Sequence, residues 1–200
     1  MNYQLKKEMR KIKKFTKDHS IDYYRGIKGI YFYGVLKKVI SIINLRKRNV
    51  KILDFGCGLN KLKSLLPDKV TGYDIQPRFT EIGDWRKVKF DILVSNQVFY
   101  LMTKKELREF LDELYEVNPK VELIVSITRR TSLQNIFKHI LGEGDAWADT
   151  QLLPREELRI LCERMEIVKK TDYFKLVDIY VMKFKEKSKK NTSKEKNAKT

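Results

Sequence analysis

The sequence has 200 residues, of which 42% are hydrophobic and 11% aromatic, so it can bury one core of ordinary size and is not generally disordered. No apolar run reaches the roughly 18 residues of a membrane span, and the first residues lack the pattern of a secretory signal. The two cysteines and two histidines show neither metal-ligand nor disulfide spacing, so we expect a cytoplasmic protein without a metal site.

The net charge of +17 is concentrated at the two ends of the chain. Residues 1–51 contain 15 Lys or Arg and 3 Asp or Glu, and residues 183–200 contain 8 lysines and 2 glutamates, whereas the middle is close to neutral. Such basic ends can bind RNA, another polyanion or an anionic membrane surface. They can equally be solvated surface without a partner.

Two helices are predicted in the first 47 residues. Lys6–Lys17 carries a narrow apolar stripe among many lysines, and Ile30–Ile43 has a richer apolar face and ends near Asn44. We expect the second helix to pack on the main domain, while a position on a membrane surface is the alternative.

Short apolar segments alternate with amphipathic segments from residue 50 to residue 165. Buried strands are predicted at Lys51–Phe55, Val70–Tyr73, Phe90–Ser95 and Val121–Ile127. Helices are predicted at Leu59–Leu66, from Thr103 to Asn118, around Leu133–Leu141 and from Pro154 through Met165. Two closing strands, Ile167–Tyr173 and Val177–Phe184, are too close together in sequence to be parallel.

This alternation predicts an α/β fold with a mostly parallel sheet, an antiparallel closing strand and helices on both faces. We expect three parts: a basic helical N-terminal extension over residues 1–47, the α/β domain over residues 48–184, and a disordered lysine-rich tail over residues 185–200.

A glycine-containing turn with two carboxylates follows the first two predicted strands. Gly56 and Gly58 lack the Cβ that would keep a ligand from the backbone, at the carboxyl ends of strands where such folds bind ligands. Asp54 precedes the turn, and Asp74 ends the second strand, where a carboxylate suits ribose hydroxyls. A dinucleotide dehydrogenase needs a third glycine where Lys61 stands, which argues against a nicotinamide oxidoreductase.

The pattern Asp-x-Gly-x-Gly at 54–58 resembles the first motif of class I S-adenosylmethionine-dependent methyltransferases, whose domain is Rossmann-like. The likeness covers roughly residues 48–184 and departs from the family at Asn60, where a third glycine is common. Asparagine tolerates left-handed backbone, so the turn can be preserved. The resemblance implies a methyltransferase that uses S-adenosyl-L-methionine, whose sulfonium and ammonium groups suit acids beside the turn.

The resemblance also implies a cofactor site. Its predicted residues are Asp54, Phe55, Gly56, Cys57, Gly58, Asp74, Ile75, Asp84, Trp85, Asn96 and Gln97. In the family, an acid near Asp84 often contacts the adenine amino group, an apolar neighbour packs on the ring, and the segment resembling residues 90–97 is the fourth strand with the loop beside the transferable methyl. We expect Cys57 to pack within the turn, not to act as a nucleophile.

The catalytic residues are left open, because methyl transfer depends chiefly on positioning and needs a base only for some acceptors. His139 and Tyr100 are the candidates for catalysis, with Asp145 and Trp147 as further candidates for the acceptor pocket. Tyr24 and Arg25 are candidates for contacting the carboxylate of the cofactor.

Three functions remain open at this point. The first is a methyltransferase for a small-molecule or lipid-linked acceptor, cytoplasmic and possible at the membrane surface. The second uses the basic ends to capture RNA or another polyanion as the acceptor. The third is a non-catalytic cofactor-binding or membrane-surface module.

Overall fold

The computed structural model of the protein describes Tyr24, residues 26–130 and residues 150–186. The helices are α1 (Gly26–Ile42), α2 (Lys61–Leu65), α3 (Lys104–Val117) and α4 (Pro154–Arg164). The strands are β1 (Ile52–Phe55), β2 (Val70–Tyr73), β3 (Ile92–Asn96), β4 (Glu122–Thr128), β5 (Met165–Tyr173) and β6 (Val177–Phe184). Over these ranges no helix combines the length and the apolar character that crossing a membrane requires.

The six strands form one sheet in the order β2-β1-β3-β4-β6-β5. β1 pairs in parallel with β2 and β3, β3 pairs in parallel with β4, and β6 is antiparallel to both β4 and β5. This confirms the predicted mostly parallel sheet with an antiparallel closing strand. Because β5 runs in the same direction as β1 to β4, all five end at one edge of the sheet, called here the carboxyl edge. Their starts define the amino edge.

Side chains that alternate along the strands form two apolar layers, one on each face of the sheet. On one face, Leu53, Leu93 and Leu123 pack with the buried side chains of α3 and α4. On the other, Ile52 and Ile92 pack with those of α1 and α2. Helices therefore cover both faces, as predicted, and α1 packs on the main sheet.

Local sequence signals explain the helix ends. α3 begins with a capping box, in which Thr103 accepts from the backbone N–H of Glu106 and the Glu106 side chain accepts from the Thr103 N–H. α4 has a proline in its first turn. α1 is followed at Asn44 by left-handed backbone, with φ of 54°, which confirms the expected end of that helix.

Several predicted boundaries are shifted. α1 begins at Gly26 and not at Ile30, and β3 covers Ile92–Asn96 and not Phe90–Ser95. β5 begins at Met165, which is buried and pairs with Phe184. The predicted helices at Lys6–Lys17 and Leu133–Leu141 lie outside the described residues.

In the family likeness, residues 90–97 resemble a fourth strand. Residues 74–91 are all described and contain only a short 3-10 helix, Trp85–Lys87, so β3 is the third strand of the chain. The outer edge of β2 is instead closed by Glu81. The N–H of Gly72 donates to Glu81 Oε2 at 3.1 Å, and the Glu81 N–H donates to the Gly72 carbonyl at 3.0 Å.

Candidate active site

A sharp turn joins β1 to α2 at the carboxyl edge. Gly56, Gly58 and Asn60 all have left-handed backbone, with φ of 76°, 48° and 55°, which confirms the tolerance expected of Asn60. The Gly56 N–H donates to the Tyr73 carbonyl at 2.8 Å. A Cβ at Gly56 would lie 2.4 Å from a methyl of Val98, whereas no described atom lies within 4 Å of the corresponding position at Gly58. The backbone is thus packed at Gly56 and accessible at Gly58.

Asp74 holds the turn from the end of β2. Its Oδ2 accepts the N–H of Gly58 at 3.0 Å, and its Oδ1 accepts the N–H of Gln76 at 2.9 Å. Ile75, the next residue, is 65% exposed. The structure therefore brings the accessible backbone at Gly58, a carboxylate and an exposed apolar side chain to one place.

Asp54 lies beneath the turn and is only 4% exposed. Burial, followed by the charges of Asp74 and Glu81, raises the pKa of Asp54 to about 7. A cation placed beside this carboxyl would favour its ionised form, so three acids create a local preference for positive charge.

Tyr24, two residues before the start of α1, lies close to this turn. Burial, with Asp54 as the next contributor, raises the pKa of the Tyr24 hydroxyl. The ammonium of Lys61 lies 5.5 Å from the ring centroid of Tyr24. The ring centroids of Tyr24 and Tyr33 are 5.2 Å apart. The N-terminal segment is therefore part of the site's surroundings, although Arg25 lies outside the described residues.

Cys57 packs within the turn, as its sequence context suggests. Its thiol is buried and donates to the Phe79 carbonyl at 3.4 Å. Burial, with the nearby acids, raises its pKa, so it is a protonated thiol and a poor nucleophile. Asn60 Nδ2 donates to the same carbonyl at 3.0 Å, and a Cβ at Gly72 would lie 1.9 Å from Asn60 Oδ1. These contacts fix the turn against β2.

The side chains of Asp84, Trp85 and Phe55 make contacts within the protein. Asp84 accepts from the backbone N–H and the Nε of Arg86, at 3.1 and 2.8 Å, and these hydrogen bonds lower its pKa. Trp85 is 5% exposed, with its ring centroid 5.4 Å from that of Phe110 and 5.9 Å from that of Phe55. Both aromatic side chains belong to the core, and the cofactor role of the three stays a prediction.

The ends of β3 and β4 carry a cluster of polar side chains. Asn96 Oδ1 accepts from the Ser126 hydroxyl, and Gln97 Oε1 accepts from the Thr128 hydroxyl at 2.9 Å. Gln97 has left-handed backbone, with φ of 58°. Its buried Nε2 has no partner among the residues that the structure covers, and a buried amide donor normally has one.

The candidates for catalysis are only partly covered by the described residues. Tyr100 lies in the 3-10 turn after β3, and its carbonyl accepts from the N–H groups of Gln151 and Leu152 at 2.9 and 3.2 Å. His139, Asp145 and Trp147 lie outside the described residues. Within the described ranges, no group of three His, Cys, Asp or Glu side chains is placed to bind a metal ion.

Sequence reasoning missed four residues that matter here. Ser126 and Thr128 could have been found, because they are polar positions at the end of an apolar predicted strand. Glu81 closes β2 and adds charge beside Asp54, but a loop glutamate gives no such signal. Glu157, 2% exposed on α4, has its pKa raised to about 8 by burial, yet an acid in the first turn of a helix is usually solvated.

Comparisons by sequence and by structure give different results. No protein-family model matches the chain, and no curated protein matches it at a significant level. Solved structures match it with high probability, however. Magnesium protoporphyrin IX methyltransferase from Synechocystis PCC 6803 with bound SAH is 18% identical, with a TM-score of 0.55 over 80% of this chain and 90% of its own.

Two further matches have the same fold. The N-methyltransferase NodS from Bradyrhizobium japonicum WM9, in complex with S-adenosyl-L-homocysteine, is 14% identical, with a TM-score of 0.52 over 75% of this chain and 85% of its own. The small RNA methyltransferase HEN1 is 15% identical, with a TM-score of 0.54 over 76% of this chain and 25% of its own. At these identities the likeness establishes the fold, which is that of class I methyltransferases.

Proposed function

Because the chain has the class I methyltransferase fold, we propose that it is an S-adenosylmethionine-dependent methyltransferase. The observation that carries the proposal is the turn after β1, where the accessible backbone at Gly58 accompanies the buried carboxyl of Asp54 and the carboxylate of Asp74. Burial and nearby acids raise the pKa of Asp54, and a cationic ligand beside it would favour the ionised carboxylate. Two of the similar proteins bind the demethylated product of this cofactor.

The residues around the turn fit this cofactor group by group. Asp54 would face its positively charged end, and the accessible backbone at Gly58 would allow close approach. Each oxygen of Asp74 accepts one backbone N–H and has a further lone pair for a ribose hydroxyl. Ile75 offers exposed apolar surface for the adenine ring.

When bound, S-adenosylmethionine supplies a methyl group activated by a positively charged sulfur. The chain's own residues then have to hold an acceptor in line with that methyl, which contributes several kcal/mol, up to roughly 7–11 kcal/mol. The polar cluster at Asn96, Gln97, Ser126 and Thr128 suits this positioning, and the Nε2 of Gln97 is a donor that an acceptor oxygen can satisfy.

The acceptor that we propose is a small molecule or the head group of a lipid-linked molecule. Two features support it. The polar cluster is confined to the adjoining ends of β3 and β4, which suits a compact acceptor group. Exposed apolar side chains also concentrate at the same edge of the sheet.

The test begins with calorimetry of the purified chain against S-adenosylmethionine, S-adenosylhomocysteine and NAD. We expect binding of the first two and not of NAD, and loss of binding in Asp74→Ala. Asp68→Ala, an exposed aspartate just before β2, is the matched control and should bind normally. Incubation with radiolabelled methyl donor and fractionated cell extract then identifies the class of acceptor. Normal donor binding by Asp74→Ala would contradict the assigned ribose contact.

A second candidate, a polyanion such as RNA as the acceptor, is favoured by one observation. A cleft of about 640 Å³ at the amino edge is lined by Lys51, Lys69, Lys87 and Lys89, with Asp68 the single acid in its lining. One of the similar solved proteins is a small RNA methyltransferase. This alternative predicts that activity falls steeply as salt rises, because phosphate contacts release counterions. Activity that is insensitive to salt would leave only the first candidate.

A further inference from the structure

Large apolar side chains are exposed at one end of the molecule. Seven such side chains are exposed among the described residues, and two of them, Ile167 and Val168, lie on β5. The other five form what we call the apolar rim: Ile30, Ile75, Leu101, Leu153 and Phe174. Ile30, Ile75 and Phe174 are the most exposed, at 72%, 65% and 73%.

Chain topology places the whole rim at the carboxyl edge. Ile75 follows the end of β2, Leu101 lies in the turn after β3, and Phe174 follows the end of β5. Leu153 precedes α4, and its neighbour Leu152 donates its N–H to the Tyr100 carbonyl. The rim therefore surrounds the proposed cofactor and acceptor site.

Ile30 reaches the same edge because α1 runs opposite to β1. The residues after α1 lie at the amino edge, where the ammonium of Lys69 donates to the carbonyl of Arg46 at 2.8 Å. The start of α1 lies toward the turn after β1, since the ammonium of Lys61, the first residue of α2, is 5.5 Å from the ring centroid of Tyr24. Ile30, in the second turn of α1, is thus near the carboxyl edge.

The hairpin between β5 and β6 holds Phe174 outward in a strained conformation. Phe174 and Lys175 both have left-handed backbone, with φ of 49° and 55°, which is unfavourable for a bulky residue by about 1–3 kcal/mol. The turn is closed by the Leu176 N–H donating to the Tyr173 carbonyl at 2.9 Å. Left-handed backbone at both central residues is the geometry of a type I′ hairpin turn, and this turn leaves Phe174 exposed.

The hairpin is also fixed to α1. A Cβ at Gly34 would lie 2.0 Å from the hydroxyl oxygen of Tyr173, so the tyrosine packs directly on the helix backbone. Ile30 and Tyr173 line one groove of about 690 Å³ along α1. Ile30 and Phe174 are therefore held on one rigid surface.

Positive charge accompanies these apolar side chains. Lys28 lies two residues before Ile30, and Lys175 follows Phe174. Apolar side chains flanked by lysines match the interface of an anionic bilayer, where the rings and aliphatic groups enter the head-group region and the ammonium groups contact lipid phosphates. RNA would use the charges but would gain little from exposed isoleucine.

We propose that the apolar rim docks the carboxyl edge onto the surface of an anionic lipid bilayer. Docking in this orientation turns the active site toward the lipid head groups, so the acceptor is a lipid or a lipid-linked molecule. The identity of the acceptor rests on the proposed function, whereas docking itself does not.

The test is co-sedimentation of the full chain with vesicles of phosphatidylcholine, with or without phosphatidylglycerol, in the absence of methyl donor. The double variant Ile30→Ser/Phe174→Ser is compared with Ile167→Ser/Val168→Ser, which removes exposed apolar side chains from β5. We expect the first to lower the partition onto anionic vesicles by about tenfold or more, and the second to change it less than about twofold. Ile75 is left unchanged because it belongs to the proposed cofactor site.

Three results would overturn the docking proposal. The first is an equal loss of vesicle binding in the two double variants, and the second is that the wild type does not bind anionic vesicles. The third is that the chain binds a single-stranded RNA through Ile30 and Phe174 but does not bind vesicles. Calorimetry with S-adenosylhomocysteine on the same variants separates the two proposals. Vesicle binding by a chain that does not bind this ligand would keep the docking surface and reject the proposed function.

Discussion

The sharpest prediction concerns Asp54→Asn, which keeps the shape of a buried side chain and removes its charge. The folded pKa of about 7 lies above the ordinary value of 3.8. The contribution of this carboxyl to the free energy of unfolding is therefore most favourable below pH 4. It is lost as pH rises from about 4 through 7, because in this range the unfolded chain ionises the carboxyl more readily than the folded chain does. At about 1.4 kcal/mol per pK unit, the full loss is about 4 kcal/mol at pH 8.

The variant should therefore be stabilised relative to wild type in a way that depends on pH. The penalty in wild type rises by about 2–3 kcal/mol between pH 5 and pH 8, and Asp54→Asn removes that rise. For a domain of this size, we expect the gain in thermal midpoint at pH 8 to exceed the gain at pH 5 by roughly 4–10 °C. The free-energy cost of burying the asparagine amide in the variant is the same at both pH values, so it cancels when the two gains are compared.

Thermal unfolding of wild type and Asp54→Asn at both pH values tests this reasoning, with Asp68→Asn as an exposed control that should shift the midpoint equally at both. Calorimetry should show that Asp54→Asn binds S-adenosylmethionine about 10- to 100-fold more weakly, because a charge-assisted contact is lost. A midpoint gain that is the same at pH 5 and pH 8, together with normal donor binding, would refute the role given to Asp54.

Further predictions concern the turn, the core and salt. Gly58→Ala should cost only about 1 kcal/mol of stability but block donor binding. Gly56→Ala should cost about 2–3 kcal/mol of stability through its clash with Val98. Denaturant unfolding measures the loss of stability, and calorimetry measures the loss of donor binding. Glu157→Gln should raise the thermal midpoint more at pH 9 than at pH 6, because the folded pKa of about 8 lies above the ordinary value of 4.5 and the penalty grows until pH 8. Donor affinity should change less than about twofold between low and physiological salt, as calorimetry can show, because the contact with Asp54 is buried.

The sequence was sufficient to predict the sheet and its turn because these depend on local patterns. Continuous apolar runs identified the buried strands, and the closeness of the last two strands required an antiparallel pair. Gly56 and Gly58 predicted a tight turn, Asn60 was expected to tolerate left-handed backbone, and all three have positive φ. Asp74 lies where the end of β2 requires, within hydrogen-bonding distance of the turn.

Features that depend on tertiary packing could not be predicted in the same way. The sequence around Trp85 fits a contact with the adenine ring of the cofactor and a position in the core equally well. Its packing against Phe55 and Phe110 depends on three separate elements. The turn-forming residues between Tyr73 and Phe90 predicted a loop, but not the closure of β2 by Glu81, which needs only two hydrogen bonds. The burial of Glu157 follows from how α4 packs, not from its neighbours in sequence.

The distribution of charge explains how so basic a chain can hold a cation. With a net charge of +17, the chain as a whole repels a cationic ligand, but that repulsion is screened beyond about 10 Å at 0.1 M salt. Around Asp54, by contrast, Asp74 and Glu81 act at short range and at a buried site, where screening is weak. Lysines line the cleft at the opposite edge of the sheet. A cation at the turn and an anion in the lysine-lined cleft would therefore not compete, because the two interactions act over different distances and at opposite edges of the sheet.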